Sequence, residues 1–184
     1  NPTGMVYTSE EMAALVKVLE KFPQVIIISD EIYEHITFCG KHVSLASFSS
    51  IYDRVVTVNG VSKGYAMTGW RIGYIGAPLW LAKACNKLQG QFTSGVSSIS
   101  QRAALAAVTS KSDSKERMRE AFLRRRDLIC RLLGEIPGLR VRVPQGAFYV
   151  MPDISNFIGK SFEGKVMKNA DDLTFFLLAE ARVA

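Results

Sequence analysis

The chain has 184 residues, 48% of them hydrophobic and 22% charged, with a formal net charge of +6. That suffices for one good-sized core, or a domain with a smaller partner, and it excludes a disordered or fibrous chain. The most strongly apolar run, Val25 to Ile28, is cut off by Asp30, far short of the ~20 residues a membrane-spanning helix needs, so no membrane partner is expected.

The opening "NPTG" carries no initiator Met, basic n-region or apolar h-region, so no secretory signal is expected and the chain reads as a piece of something longer. Cys39, Cys85 and Cys130 are widely spaced, with no C-x-x-C pair and only His35 and His42 to help build a metal site. Reduced cytoplasmic thiols are the expectation, and a zinc site is not.

Thr8 or Ser9 is placed to cap a first helix, with Glu10 and Glu11 in its first turn, Leu15, Val18 and Leu19 on one face, and Pro23 beyond its end. "QVIIIS" (24–29) is short, β-branched and apolar, the pattern of a parallel strand buried on both faces; "RVVTVNG" (54–60) repeats it, and "RIGYIGA" (71–77) is a third candidate. Helices are predicted over 79–88, 98–108 and 114–133, the last stopped by Gly134 and Pro137.

In that last helix Met118, Phe122, Ile129 and Leu133 recur at helical spacing, which puts the arginines of "LRRRDLICR" on the solvated face. Nucleic acid is therefore not an expected partner, although a basic, non-catalytic binding module is the alternative from a different functional class. "LRVRVPQGAFYVMPD" (139–153) alternates like a half-exposed antiparallel pair, and a closing helix starts at Asp171 or Asp172. The expected class is α/β, with an α/β layer over 1–112 and a smaller α+β unit over 113–184.

In a parallel sheet, ligands gather at the carboxyl ends of the strands. The first strand delivers Asp30, Glu31 and Tyr33; the second delivers Asn59, Ser62 and Lys63; Asn1 stands where an upstream strand could end, and Arg71 follows closely. Singly, each has an ordinary structural role. Together they offer a carboxylate, an amine and an anion site in one crevice. "NGVSKGY" is not a phosphate-binding P-loop, "GWRIGYIG" is not G-x-G-x-x-G, and no G-x-S-x-G elbow is present.

Pyridoxal 5′-phosphate does fit this inventory. It needs a lysine for a Schiff base, a carboxylate for the pyridine nitrogen, donors to the phenolate oxygen, and cationic or hydroxyl donors for the phosphate. Lys63, Asp30, Tyr33 with Asn1, and Ser62 with Arg71 supply these in turn.

"NPTG", "SDEIYE" and "SKGYAMTGWRIGY" closely resemble class I pyridoxal-phosphate-dependent aminotransferases, in wording similar to the bacterial aspartate aminotransferase branch, and the resemblance runs on through "QGAFYVMPD". It implies the fold-type I large domain, mostly parallel, with most of the smaller C-terminal domain. It also implies Lys63 as Schiff-base and proton-shuttling residue, Asp30 on the pyridinium nitrogen, Tyr33 and Asn1 on the phenolate oxygen, Asn1 also near the substrate carboxylate, and Ser62 and Arg71 on the phosphate.

Amino acid and 2-oxo acid substrates, aspartate with 2-oxoglutarate first, and a homodimer follow from the same resemblance. Prephenate or aromatic substrates, or C–S lyase chemistry on the same fold, are alternatives. Gly60 departs from relatives with a serine there, and Trp70 and Tyr74 are expected to be packing residues. The family's chains are roughly twice this length, so an isolated segment of this size is expected to bind cofactor weakly and be inactive.

Overall fold

A computed structural model describes residues 1–183. Helix α1 (Ser9–Leu19) starts at Thr8, whose Oγ1 accepts the Glu11 N–H at 3.2 Å while the Glu11 carboxylate accepts the Thr8 N–H at 2.8 Å. This reciprocal box satisfies donors that a helix start otherwise leaves unpaired. The far end of α1 is held by the buried Arg54, whose guanidinium donates to the carbonyls of Leu19, Phe22 and Val25 at 2.7, 3.0 and 2.9 Å. Val16 points from α1 into a core with Ile27, Leu45, Ile51 and Val55.

Strands β1 (Ile27–Asp30), β2 (Val55–Gly60) and β3 (Gly73–Gly76) form one sheet in that order. β1 and β2 are parallel, with Asp30 beside Val58, and β3 runs antiparallel to β2, with Gly73 beside Gly60. β1 is shorter than its apolar run. Its ladder begins where Val55 supplies a partner to Ile27, and Val25 N–H turns back to the Phe22 carbonyl at 3.1 Å. Burial on both faces is also corrected: Ile27 is buried, but Ile28 is 72% exposed, because among the described residues its face opens onto a cavity rather than a covering layer.

α2 (Leu79–Phe92) and α3 (Ser98–Thr109) form where the spacing predicts them, and neither buries a residue within this chain. Trp70 and Tyr74 are 43% and 46% exposed, so within this chain they are rim aromatics rather than the packing residues expected. No helix of the described residues is long and apolar enough to cross a membrane.

α4 (Ser114–Gly134) half-buries Met118, Phe122 and Leu133 as expected. Ile129 is exposed, and Arg126 departs from the solvated face: it donates to the Pro144 carbonyl at 3.1 Å and lies over the Phe38 ring. β4 (Arg140–Val141) and β5 (Pro152–Asp153) pair antiparallel over two residues each.

Between these two strands the chain docks on the loop after β1. Ala147 N–H donates to the Ile36 carbonyl at 2.7 Å, and the N–H groups of Gln145 and Gly146 both reach the Gly4 carbonyl. A short hairpin, β6 (Ser161–Phe162) and β7 (Lys165–Val166), precedes α5 (Ala170–Phe176). The cap of α5 is Asn169, not Asp171 or Asp172, since its Oδ1 accepts the Asp172 N–H at 2.9 Å.

Candidate active site

The parallel pairing of β1 and β2 brings their carboxyl ends to one edge of the sheet, where Asp30 closes one strand and Asn59 to Lys63 leave the other. Asp30 is exposed, and its Oδ1 accepts the Ile32 N–H at 3.2 Å, which turns the chain out of the sheet. Its second carboxylate oxygen has no partner among the described residues.

That turn delivers Tyr33, half-buried, with its hydroxyl 2.6 Å from the Tyr149 hydroxyl and its ring edge-on to Phe148 at 5.4 Å. Burial above all, with the Asp30 charge adding to it, raises the Tyr33 pKa, so it stays a neutral hydrogen-bond donor. Lys63 Nζ lies 5.9 Å from the Tyr33 ring centroid and 5.3 Å from that of Phe148, with no ion pair among the described residues.

Ser62, Lys63 and Arg71 line a cavity of about 410 Å³ with Thr68 and Ile72. Arg71 occupies a left-handed position, φ 55°, just after a short 3₁₀ turn (Thr68–Trp70), and its Nη1 donates to the Thr68 carbonyl at 3.1 Å. Asn1, Asp30 and Tyr33 line a second cavity of about 300 Å³. The six expected residues thus fall into two groups, and Lys63, set over the Tyr33 ring, joins them.

The composition of this edge fits pyridoxal 5′-phosphate. A lysine and an arginine that have no carboxylate partner among the described residues border one cavity, which suits a phosphate, and a carboxylate with one oxygen unpartnered among those residues and a neutral phenol border a second. Gly60 adds a reason for its departure from serine: a Cβ there would stand 2.7 Å from the Ile72 carbonyl oxygen across the β2–β3 pair.

The roles of several residues escape a reading of the sequence, although Glu31 and Asn59 are named there at the strand ends. Glu31, buried directly after Asp30, accepts from Ser29 Oγ at 3.1 Å, Ser44 Oγ at 2.7 Å and His42 Nε2 at 2.7 Å. Burial pushes the Glu31 pKa up, but the bonds from His42 and Ser44 outweigh it and hold the carboxyl below its usual range. The same bond holds His42 above its ordinary value.

Asn59, expected among the residues facing a ligand, is a buried brace: its Nδ2 donates to Glu34 Oε1 and its Oδ1 accepts the Gly60 N–H, each at 2.7 Å. Phe148 and Tyr149 complete the wall around Tyr33. The adjacent acids of "SDEIYE" are the one local signal for Glu31; none points to Tyr149.

Residues 1–183 match the family described as aminotransferase class I and II. The chain is 47% identical to the aspartate/prephenate aminotransferase of Cereibacter sphaeroides, covering 100% of this chain and 47% of that protein. It is 43% identical to the bifunctional aspartate aminotransferase and glutamate/aspartate-prephenate aminotransferase of Petunia hybrida, covering 100% of this chain and 40% of that protein.

The crystal structure of the aspartate aminotransferase from Rhizobium meliloti matches with a TM-score of 0.95 at 43% identity, over 100% of this chain and 47% of that one. The aromatic aminotransferase from Pyrococcus horikoshii gives 0.87 at 35% identity, with the same two coverages, 100% and 47%. The chain spans less than half the length of the relatives it matches.

Proposed function

The chain belongs to the class I and II aminotransferase family, and from that premise we propose that the whole protein moves the amino group of an amino acid, L-aspartate first, to 2-oxoglutarate with pyridoxal 5′-phosphate held at the carboxyl ends of β1 and β2. The observation that carries this is Lys63: its ammonium lies over two aromatic rings, without an ion-pair partner among the described residues, one strand away from Asp30.

The cofactor, when bound, supplies an electron sink for negative charge at the substrate α-carbon. Lys63 Nζ would hold it covalently and, once displaced from it by the amino group of the substrate, would be the free amine that takes the α-carbon proton and delivers it to the cofactor. Asp30, through its free oxygen, holds a proton on the ring nitrogen. Tyr33 and Asn1 donate to the ring oxygen, Asn1 also toward the substrate carboxylate, and Ser62 and Arg71 hold the phosphate.

Aspartate is placed first because both curated relatives named above carry it in their names, and the same names make prephenate the second substrate to test. Residues 1–112 serve as part of the cofactor-binding domain and 113–184 as the smaller one; the three-stranded sheet lies wholly in the first segment and both two-stranded sheets in the second, in support. A homodimer is supported by the exposed apolar faces of α2 and α3, where Leu79, Phe92 and Ile99 stand uncovered.

Borohydride reduction of the whole protein loaded with pyridoxal 5′-phosphate is expected to leave the pyridoxyl group on Lys63; label on another lysine overturns the assignment. Aspartate should then convert the cofactor to its amine form, whereas pyruvate released from cysteine conjugates would identify a C–S lyase.

A further inference from the structure

Resting on the cofactor placement just given, we propose that Tyr149 is a positioning residue for Tyr33: it donates its hydroxyl hydrogen to the Tyr33 oxygen, 2.6 Å away, and so directs the Tyr33 proton at the ring oxygen of the cofactor. Two hydroxyls this close share one hydrogen bond, and either can donate. If Tyr33 donates to Tyr149, its proton is used and a lone pair faces the ligand. If Tyr149 donates, the Tyr33 proton is free for an anionic oxygen, and a chain of two O–H donors ending on that anion strengthens both bonds. An anionic ring oxygen selects the second arrangement.

Neither hydroxyl has another hydrogen-bond partner among the described residues, so nothing else competes for the pair. The charged groups facing Tyr33 are Asp30 and Lys63, and neither is hydrogen-bonded to its hydroxyl.

Tyr149 reaches Tyr33 across 116 residues of sequence, on a segment that is firmly held. Ala147 is buried at a left-handed φ of 57°, with its N–H on the Ile36 carbonyl at 2.7 Å. Phe148 stacks on Phe122 of α4 at 5.2 Å and meets the Tyr33 ring edge-on. The segment between β4 and β5 therefore supplies the hydroxyl that sets the direction of a donor delivered by β1.

The test is the pH midpoint of the visible absorption band of the cofactor-loaded whole protein, in wild type, Tyr33→Phe, Tyr149→Phe and the double variant. A donor to the ring oxygen lowers that midpoint, so Tyr33→Phe raises it. Tyr149→Phe is expected to raise it by roughly 0.2 to 0.6 pH unit, the weakening that follows when one bond of a two-bond chain is removed, and to add nothing in the Tyr33→Phe background.

A Tyr149→Phe midpoint equal to wild type, with Tyr33→Phe shifted, overturns the proposal and leaves the cofactor placement standing. An equal shift with and without Tyr33 overturns it too, as does a fall in Tm with no movement of the midpoint. Absence of the band, or no shift in Tyr33→Phe, overturns the cofactor placement and the proposal together.

Discussion

His42 Nε2 lies 2.7 Å from Glu31 Oε2, and this pair fixes the residue that directly follows Asp30. Glu31 is also held through its backbone, its N–H donating to the Val58 carbonyl at 2.8 Å, and through Ser44, which caps a short 3₁₀ turn (Leu45–Ser47). The exit of β1 is thus clamped from three directions before the chain reaches Tyr33, which keeps the donor set on a rigid scaffold.

The pair makes stability depend on pH in a defined way. His42 is raised above its ordinary 6.5, so its contribution is fully present below 6.5 and is lost as pH rises through its folded value. Glu31 is lowered below its ordinary 4.5, so its contribution is present above 4.5 and is lost as pH falls through its folded value.

The stability difference between wild type and His42→Gln should therefore be greatest between about 4.5 and 6.5 and shrink on either side. Glu34 also faces His42, and half-buried His35 has its pKa lowered, which makes stability change in the opposite sense. Both remain in the variant, so most of their own titration cancels in the difference curve; the small part of the His35 shift that the His42 charge causes is lost with it. Urea unfolding across pH measures it, and a flat difference would remove the assigned role.

Arg54 is buried, has no carboxylate partner among the described residues, and acts through three carbonyls at and beyond the last turn of α1. Arg54→Met should cost about 3 kcal/mol, because bonds from a charged donor are lost and buried acceptors are left unpaired. Arg54→Lys keeps the charge but not the fork that reaches three acceptors at once, and should recover only part of that loss. Urea denaturation midpoints at constant slope provide the check.

The legible part of the fold is the part written locally. Thr8 with Glu11 is a capping box within four residues, and two apolar runs ending in Asp30 and in Ser62–Lys63 announce strands with a polar edge. What cannot be read depends on the third dimension. Ile28 is identical in type to Ile27, and what separates them is that, among the described residues, a core covers the Ile27 face and not the Ile28 face.

Tyr149 sits in an alternating stretch that shows nothing of the loop it docks on, and Arg126 looks like its neighbours until Pro144 and Phe38 are placed beside it. Asn59 is misread because a polar residue at a strand end can face a ligand or brace the turn, and only the partner, Glu34, decides.

Gly60 can be tested directly. Its backbone is not in the left-handed region; the constraint is close approach, with a Cβ meeting the Ile72 oxygen at 2.7 Å and the Gly73 Cα at 3.1 Å. Gly60→Ala and Gly60→Ser should both destabilise by about 1–3 kcal/mol, because β2 and β3 must part to admit the first carbon. The added hydroxyl should bring no gain in cofactor affinity over Gly60→Ala. Thermal unfolding and a cofactor titration separate the two expectations, and a stabilised Gly60→Ser would contradict the packing argument.

Asp30→Asn isolates function from fold. Among the described residues the one hydrogen bond of the Asp30 side chain is accepted by Oδ1 from the Ile32 N–H, and an asparagine oxygen accepts the same bond, so the turn into Tyr33 is preserved. The residue is exposed, and stability should change by no more than about 0.5 kcal/mol. Under the proposed cofactor placement, what disappears is the negative charge that would keep a proton on the ring nitrogen, and with it the electron withdrawal that the proposed reaction needs.

Transamination by the whole protein should fall by about 10²–10³-fold, comparable to the loss of one electrostatic stabiliser in other active sites. Single-turnover conversion of the cofactor to its amine form by aspartate reads this step directly. An Asp30→Asn variant that turns over at the wild-type rate with unchanged stability would show that Asp30 faces solvent rather than the cofactor.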